Sequence, residues 1–123
     1  MVEFCPSPLA RVMPAHYACF TMVEHKTTRY VPVALRRAIE RRDGGRCVYC
    51  GAAGDMTMDH VKAWSRGGET TAENLVCACA SCNETKAGWP VHLYAALLEH
   101  DGKAKASTVL RRVFRQLARP LPR

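Results

Sequence analysis

Four of the seven cysteines fall into two Cys-x-x-Cys pairs, CVYC at residues 47–50 and CASC at residues 79–82. Soft thiolate ligands in tetrahedral number select zinc, and four of them leave no open position on the metal. We therefore predict a closed, structural zinc site that contributes folding free energy directly. Its predicted ligands are Cys47, Cys50, Cys79 and Cys82.

The two pairs are separated by 28 residues, whereas a purely structural zinc site often has only about 15–20. This insert contains Asp59-His60, a Gly-Gly turn and Asn74. A histidine can accept a proton near neutrality, because its unperturbed pKa is about 6.5. Carboxylate and amide oxygens suit a hard divalent cation with open positions. The insert, not the saturated zinc site, is therefore where we expect reaction chemistry.

A short basic helix is predicted before the first cysteine pair. Leu35, Ala38 and Ile39 recur at helical spacing, Pro32 suits the start of a helix, and the Gly-Gly pair at residues 44–45 suits its end. The first thirty or so residues contain three prolines and a stretch of β-branched and aromatic residues that could supply a strand.

The centre of the chain is predicted to run strand, loop, strand, helix. The strands lie near residues 56–61 and 74–79. Asn83 is a good N-cap and Gly88 a plausible stop for the helix that follows.

Two more helices are predicted after Pro90, the last beginning near the cap Ser107. Its expected inward side chains are Val109, Leu110, Val113, Phe114 and Leu117, and its arginines are largely outward.

The cysteine pairs and their insert together resemble the HNH endonucleases in their four-cysteine form. Those proteins share the pattern D-H, a Gly-rich loop, N-L and C-x-x-C-N-x-x-K. Here the pattern is met by Asp59-His60, by RGGETTAENL ending at Asn74-Leu75, and by CASCNETKAG with Asn83 and Lys86. Several spaced elements must coincide for such a match, which makes it more specific than a lone motif.

The resemblance covers residues 47–88 strongly and the basic helix at residues 35–46 more loosely. Many family members have proline three residues after the histidine, where this chain has Ala63. The last motif residue is Asn83, where the name-giving form has histidine.

The resemblance implies an α+β fold: a small ββα-metal core of the HNH or His-Me finger type, with a four-cysteine structural zinc site, flanked by basic α-helices. Residues 1–31 would form an N-terminal extension, residues 32–90 the nuclease core, and residues 91–123 a basic helical extension.

Carried over by position, the resemblance makes His60 the general base that takes a proton from water. Asp59 and Asn83 would be oxygen ligands of a catalytic Mg²⁺ or Mn²⁺ ion, and Asn74 would pin the loop and help to orient His60. Adjacent residues on a strand point to opposite faces. Asp59 and His60 therefore need a local twist or a strand end to serve one site.

Charge is unevenly distributed along the chain: residues 1–46 carry +4, residues 47–90 carry −2, and residues 91–123 carry +5. Basic arms around a mildly acidic centre suit a polyanion such as DNA, although arginine-rich helices could simply have solvated faces. Lys86 is either a phosphate contact or a solvated helix residue. The candidate DNA contacts are Arg36, Arg37, Arg41, Arg42, Lys62, Arg66, Lys86, Arg111, Arg112 and Arg115.

The predicted function is that of a metal-dependent HNH endonuclease that hydrolyses, and as a single centre nicks, DNA. The alternatives are a non-catalytic zinc-stabilised DNA-binding module, on its own or within a larger DNA-processing complex, and a zinc-stabilised protein-interaction domain. We expect a monomer or homodimer, acting alone or in a phage or mobile-element machine. The sequence shows no membrane span and no secretory signal, which predicts no membrane partner and a cytoplasmic location.

Overall fold

The computed structural model describes residues 28–122. The strand considered for the first thirty or so residues falls almost entirely outside this range. The elements are α1 (Val33–Asp43), β1 (Met56–His60), a 3₁₀ turn (Trp64–Arg66), β2 (Leu75–Cys79), α2 (Ala80–Lys86), α3 (Val91–His100) and α4 (Ala106–Ala118).

The two strands form an antiparallel pair, in which Met56 lies opposite Cys79 and His60 opposite Leu75. Helix α2 follows β2 directly and packs against both strands. The result is a ββα unit within a mixed helix and sheet structure, which confirms the predicted α+β class. His60 is the last residue of β1, so the strand end that the paired Asp59 and His60 require is present.

The core lies where α1, β2 and the α3–α4 hairpin meet. Helix α1 contributes Ile39, and helices α3 and α4 contribute Tyr94, Val109 and Val113, all of them buried. Strand β2 is buried along nearly its whole length because helices cover it. The C-terminal helices therefore share one core with the ββα unit. Of the described helices, none is both long and apolar enough to cross a membrane.

A buried arginine ties α1 to the entry of β2. The guanidinium of Arg42 donates to the carbonyls of Ala72 at 2.8 Å and Leu75 at 2.6 Å. It also pairs with Asp43, with 2.7 Å between Nε and Oδ1, and the Asp43 carboxylate accepts the backbone N–H of Cys77 at 2.9 Å. Because each of these polar groups has a partner, the pair can be buried without an unsatisfied charge.

Both predicted caps in the C-terminal half are wrong. Helix α2 begins three residues before Asn83, with Cys79 as its N-cap, whose Sγ accepts the backbone N–H of Cys82. Helix α4 begins at Ala106, so Ser107 lies inside it. A thiol bonded to the residue three positions later performs the same capping job as a hydroxyl, which sequence reasoning overlooked.

The expected inward face of α4 is partly wrong as well. Val109 and Val113 are fully buried, but the ring of Phe114 is exposed. Phe114 instead lines a shallow apolar groove with Val91 and Leu117. Successive residues of a helix are turned by about 100°, so Val113 and Phe114 cannot both face the core of a narrow hairpin.

Candidate active site and metal centres

The four predicted zinc ligands come together in space. The Sγ atoms of Cys47, Cys50, Cys79 and Cys82 all lie within 4.8 Å of one another. Among the described residues, these four form a group of three or more cysteine, histidine or acidic side chains close enough to hold a metal ion. Four sulfur donors are the set that zinc takes in structural sites.

Backbone hydrogen bonds to Cys47 and Cys79 favour the thiolate form that a metal needs, whereas burial opposes it and leaves the pKa of Cys47 raised. The backbone N–H groups of Cys50 and Cys82 donate to the sulfurs of Cys47 and Cys79, at 3.5 and 3.4 Å. Partial burial raises the pKa of Cys79, but the N–H of Cys82 and the neighbouring thiols lower it more, so the net shift is downward. Burial raises the pKa of Cys82, and a hydrogen bond from Tyr94 opposes that shift.

A cleft of about 480 Å³ opens at the end of β1, between the 3₁₀ turn and α2. It brings together three of the four predicted catalytic residues, Asp59, His60 and Asn83. Its other walls are Arg29, Val31, Met58, Ala63, Trp64, Ser65, Glu84, Ala87 and Gly88.

His60 is half-buried in this cleft, and its ring lies 6.2 Å from that of Trp64. Burial lowers the pKa of His60, and the positive charges of Arg29 and Lys86 lower it further. The imidazole is therefore neutral at neutral pH, which is the form that can accept a proton.

The tautomer of His60 follows from its partner. The hydroxyl of Thr70 donates to the carbonyl of Thr28, so its single hydrogen is already used. The His60 Nε2 atom lies 2.9 Å from this hydroxyl oxygen, which can then act only as an acceptor. Nε2 must carry the ring proton, and Nδ1 is left with a lone pair.

Asp59 is buried and is held through one of its two carboxylate oxygens. Oδ2 accepts the hydroxyl of Tyr49 and lies 3.3 Å from the ammonium of Lys86, which also donates to the His60 carbonyl at 3.1 Å. Burial raises the pKa of Asp59, whereas Lys86 and Tyr49 oppose the rise. Among the described residues, Oδ1 has no hydrogen-bond partner, although Asp59 lines the cleft.

The side-chain amide of Asn83 has a fixed orientation. Its Nδ2 lies 2.8 Å from Oγ1 of Thr57, and 3.2 Å from the carbonyl oxygen of Met58. Thr57 already donates to the Ala78 carbonyl at 2.7 Å, so both neighbours of Asn83 act as acceptors. They must face its NH₂ group, and its carbonyl oxygen is left for the cleft.

Asn74 joins the two ends of the loop between the strands through three hydrogen bonds. Its Oδ1 accepts the N–H of Lys62 at 2.8 Å, while Nδ2 donates to the carbonyls of Lys62 at 3.0 Å and Glu69 at 2.8 Å. Gly68 is required beside it, because a Cβ there would lie 1.7 Å from the Lys62 carbonyl oxygen. Asn74 does not line the cleft, so it can act on His60 only through the loop.

Residues 47–87 match the model of the HNH endonuclease family. This segment is an HNH domain. The chain is also 32% identical over 75 residues to the CRISPR-associated endonuclease Cas9 of Corynebacterium diphtheriae. The aligned region covers 58% of this chain and 7% of that protein, so the chain spans a small part of the length of this relative. No solved structure matches the chain significantly.

The donor set of the HNH domain fits a divalent cation. Asp59 and Asn83 each leave one oxygen without a partner among the described residues, and both line the same cleft. Mg²⁺ and Mn²⁺ prefer such hard oxygen ligands and fill their remaining positions with water or phosphate. None of the cysteines at residues 28–122 lines this cleft, which separates it chemically from the thiol cluster.

Two residues predicted to contact DNA are placed instead inside the HNH domain and its supporting helix. Lys86 is fully buried beside Asp59, and Arg42 is buried against Asp43 and β2. Arg42 was predicted from its charge and position, and Lys86 also from its place in the family pattern. Neither signal reveals that each has a buried carboxylate partner. In the structure, neither offers its charge to a phosphate at the surface.

Two further arginines have part of their donor capacity occupied. Arg36 donates to the Met56 carbonyl at 2.7 Å, and Arg112 donates to the Val48 carbonyl at 3.0 Å. The other predicted DNA contacts are exposed: Arg37, Arg41, Lys62, Arg66, Arg111 and Arg115. Arg66 also donates through Nε to the Gly88 carbonyl, which ties the 3₁₀ turn to the end of α2.

Arg29 is a cation of the cleft that the sequence analysis did not single out. It is exposed and lines the cleft beside His60, and its positive charge lowers the pKa of that imidazole. Nothing in its neighbourhood in the sequence marks it, because it lies 31 residues before His60 and outside the segment that resembles the family.

Proposed function

We propose that this chain is a metal-dependent endonuclease that hydrolyses phosphodiester bonds in DNA. The observation that carries the proposal is the convergence of a neutral imidazole and two unpartnered oxygens in one cleft of an HNH domain. His60 is the general base, and Asp59 and Asn83 are the ligands of a divalent cation. The fold resemblance alone would not distinguish an active from an inactive domain.

His60 acts through Nδ1. Because the bond to Thr70 fixes the proton on Nε2, Nδ1 takes the proton from the attacking water. The lowered pKa of His60 keeps Nδ1 unprotonated at neutral pH, although it also makes the imidazole a weaker base.

Asp59 and Asn83 would hold Mg²⁺ or Mn²⁺ through Oδ1 of each side chain. When bound, such a cation supplies charge stabilisation to the leaving oxygen and orients the phosphate. Arg29, at the rim of the same cleft, adds a positive charge for the scissile phosphate. The exposed arginines of α1 and α4 hold the flanking backbone without reading sequence.

The four-cysteine cluster would hold structural zinc. It joins the CVYC turn before β1 to the start of α2, so it fixes the ends of the elements that carry Asp59 and Asn83. One cleft per chain attacks one strand, which supports nicking by a monomer and double-strand cleavage only by a dimer or by two encounters.

The test is nicking of supercoiled plasmid by the purified full chain with Mg²⁺, with Mn²⁺ and with EDTA. We expect cleavage that needs the divalent cation and that His60→Ala reduces by at least about 100-fold. His100→Ala, which changes an exposed histidine outside the cleft, is the matched control and keeps the parental rate.

Equal cleavage by the parent and by His60→Ala would reject His60 as the base. If neither protein cuts while both bind DNA and zinc, the chain is the non-catalytic DNA-binding module considered from the sequence.

A further inference from the structure

Two tyrosines lie buried between the cysteine cluster and the cleft. Tyr49 stands inside the CVYC turn, and Tyr94 lies on α3. Their rings meet edge to face, with centroids 5.3 Å apart and an interplanar angle of 88°. Such aromatic pairs prefer this geometry, which restricts the position of both rings.

The two hydroxyl groups go to different sites. The hydroxyl of Tyr94 lies beside Cys82, one of the four clustered cysteines, and opposes the rise in its pKa that burial causes. Tyr49 donates instead to Oδ2 of Asp59, ten residues further along the chain. Each candidate metal centre therefore has one tyrosine beside one of its ligand residues, and the rings of the two tyrosines are in contact with each other.

We propose that Tyr49 is a positioning residue that couples the zinc site to the divalent-cation site by holding the carboxylate of Asp59. The inference rests on the assignment of Asp59 as a cation ligand under the proposed function. Tyr49 does not line the cleft, so it would act on the site through Asp59.

The position of Tyr49 is set by the turn that the zinc ligands close. The N–H of Cys47 donates to the Ala52 carbonyl at 2.9 Å, and the N–H of Gly51 donates to the Cys47 carbonyl at 2.8 Å. With Cys47 and Cys50 bound to one ion, the backbone of the intervening residues has little freedom. Zinc bound by these cysteines would therefore restrict the direction in which the Tyr49 side chain leaves the backbone, and the contact with Tyr94 would restrict its ring.

The hydroxyl of Tyr49 also decides which carboxylate oxygen faces the cleft. Tyr49 and Lys86 both engage Oδ2, which leaves Oδ1 unpartnered among the described residues. Lys86 alone would balance the charge of Asp59, but a single donor on one oxygen leaves the carboxylate able to rotate about its Cβ–Cγ bond. Two donors from different directions on one oxygen restrict that rotation, as outer-shell partners of metal ligands commonly do.

Packing alone would be served equally well by phenylalanine at this position. A phenol hydroxyl in a fully buried site costs desolvation energy unless it has a partner, and Asp59 is the partner that the structure provides. The presence of a hydroxyl at this position is therefore explained by its hydrogen bond to Asp59.

The experiment compares Tyr49→Phe with Tyr94→Phe in the full zinc-loaded chain. Each variant loses one buried hydroxyl and keeps the ring contact. Mn²⁺ affinity is measured by electron paramagnetic resonance of free Mn²⁺ without DNA, together with zinc content and thermal unfolding. We expect Tyr49→Phe to weaken Mn²⁺ binding by about tenfold, the lower end of the loss typical for an outer-shell partner. Tyr94→Phe should change it by less than about twofold.

Parental Mn²⁺ affinity in Tyr49→Phe would overturn the inference, and so would an equal loss in both variants, since that would mean general loosening. A parent that does not bind Mn²⁺ would overturn it too. Because the readout needs no cleavage, a parent that binds Mn²⁺ but leaves plasmid intact contradicts only the proposed function.

A second measurement covers the case in which Tyr49→Phe does not fold. The four tyrosines are replaced by 3-fluorotyrosine, and Mg²⁺ is titrated while fluorine NMR spectra are recorded. The Tyr49 signal, assigned by substituting the other three tyrosines in turn, should shift with Mg²⁺ and should not shift in Asp59→Asn. A Tyr49 chemical shift that does not change as Mg²⁺ is added would overturn the inference.

Discussion

The Nε2 atom of His60 and the hydroxyl of Thr70 lie 2.9 Å apart, and that hydroxyl donates onward to the carbonyl of Thr28. Thr70 is buried in the loop between the two strands. The direction of these bonds places the imidazole proton on Nε2, so the orientation and the tautomer of the proposed base depend on a residue that no motif marks.

Thr70→Val should lower the nicking rate about tenfold, because the imidazole loses the acceptor that fixes its tautomer and orientation. Thr70→Ser keeps the hydroxyl and should stay close to the parent. Single-turnover nicking, with thermal unfolding as the control for stability, measures the effect. Parental rates in Thr70→Val would show that the bond is incidental.

The pH profile of kcat/KM should report the titration of His60 in the free protein. A protonated imidazole cannot accept a proton, so activity must fall as the pH decreases through the pKa of His60. Burial and the nearby charges of Arg29 and Lys86 place this pKa below 6.5. We therefore expect an acid limb with its midpoint below pH 6.5 and a plateau above neutrality.

Arg29→Gln should move that midpoint upward, because it removes one of the positive charges that lower the pKa of His60. The same change should raise the KM for DNA if Arg29 contacts phosphate. Arg37→Gln, which removes an exposed charge outside the cleft, should leave the midpoint in place. A midpoint that does not respond to Arg29→Gln would show that Arg29 does not act on His60.

Lys86→Met should destabilise the fold by about 3–5 kcal/mol at neutral pH, because it leaves the buried Asp59 carboxylate without its cation. The deficit should shrink at lower pH, where Asp59 becomes protonated and is less costly to bury. The double variant Asp59→Asn, Lys86→Met should recover most of the loss. Urea unfolding measures all three. Weaker DNA binding without lost stability would restore Lys86 as a phosphate contact.

Arg41 and Arg42 are neighbours with opposite expected effects. Arg42→Met removes a buried ion pair and two bonds to backbone carbonyls, so it should cost about 3 kcal/mol of stability. Arg41→Met changes an exposed residue and should leave stability unchanged. If Arg41 contacts phosphate, its loss should weaken DNA binding and reduce the salt slope by about one. Equal stability losses in both variants would contradict the burial that separates them.

Ala63→Pro should stabilise the chain by about 0.4–1 kcal/mol. Ala63 already has a φ of −57° and a ψ of 143°, and its N–H has no hydrogen-bond partner among the described residues. Ala87→Pro is the contrasting control, since Ala87 has a φ of 47° and its N–H donates to the Asn83 carbonyl. Thermal unfolding of both measures the effect, and a lower midpoint for Ala63→Pro would show that proline is not accommodated at this turn.

Much of the local structure follows from the sequence alone. Helix α1 begins after Pro32 and ends before Gly44, and both strands lie within a residue of their predicted positions. These features are set by local properties: the fixed φ of proline, the left-handed backbone open to glycine, and alternating burial. The cysteine spacing likewise predicted the cluster, because two residues between thiols suit a turn around one ion.

The sequence pattern predicted the candidate site residues, but it did not predict their hydrogen-bond partners. The sequence contains Asp59, His60 and Asn83, yet it does not indicate that Thr70 hydrogen-bonds the imidazole or that Tyr49 hydrogen-bonds the carboxylate. Those contacts join residues that are ten positions apart and lie on different elements. A hydroxyl is too common in sequences to mark such a role.

Tertiary structure also decided which charges are available. Arg41 and Arg42 look alike in the sequence, as do Lys86 and the other basic residues of the predicted DNA surface. Arg42 and Lys86 are buried, whereas Arg41 is exposed. The buried carboxylates of Asp43 and Asp59, and several backbone carbonyls, need cationic or N–H partners inside the fold. Composition and periodicity are properties of the residues along the chain, so they do not show which charge is buried. The free energy of burying a charge depends on a partner that only folding brings near it.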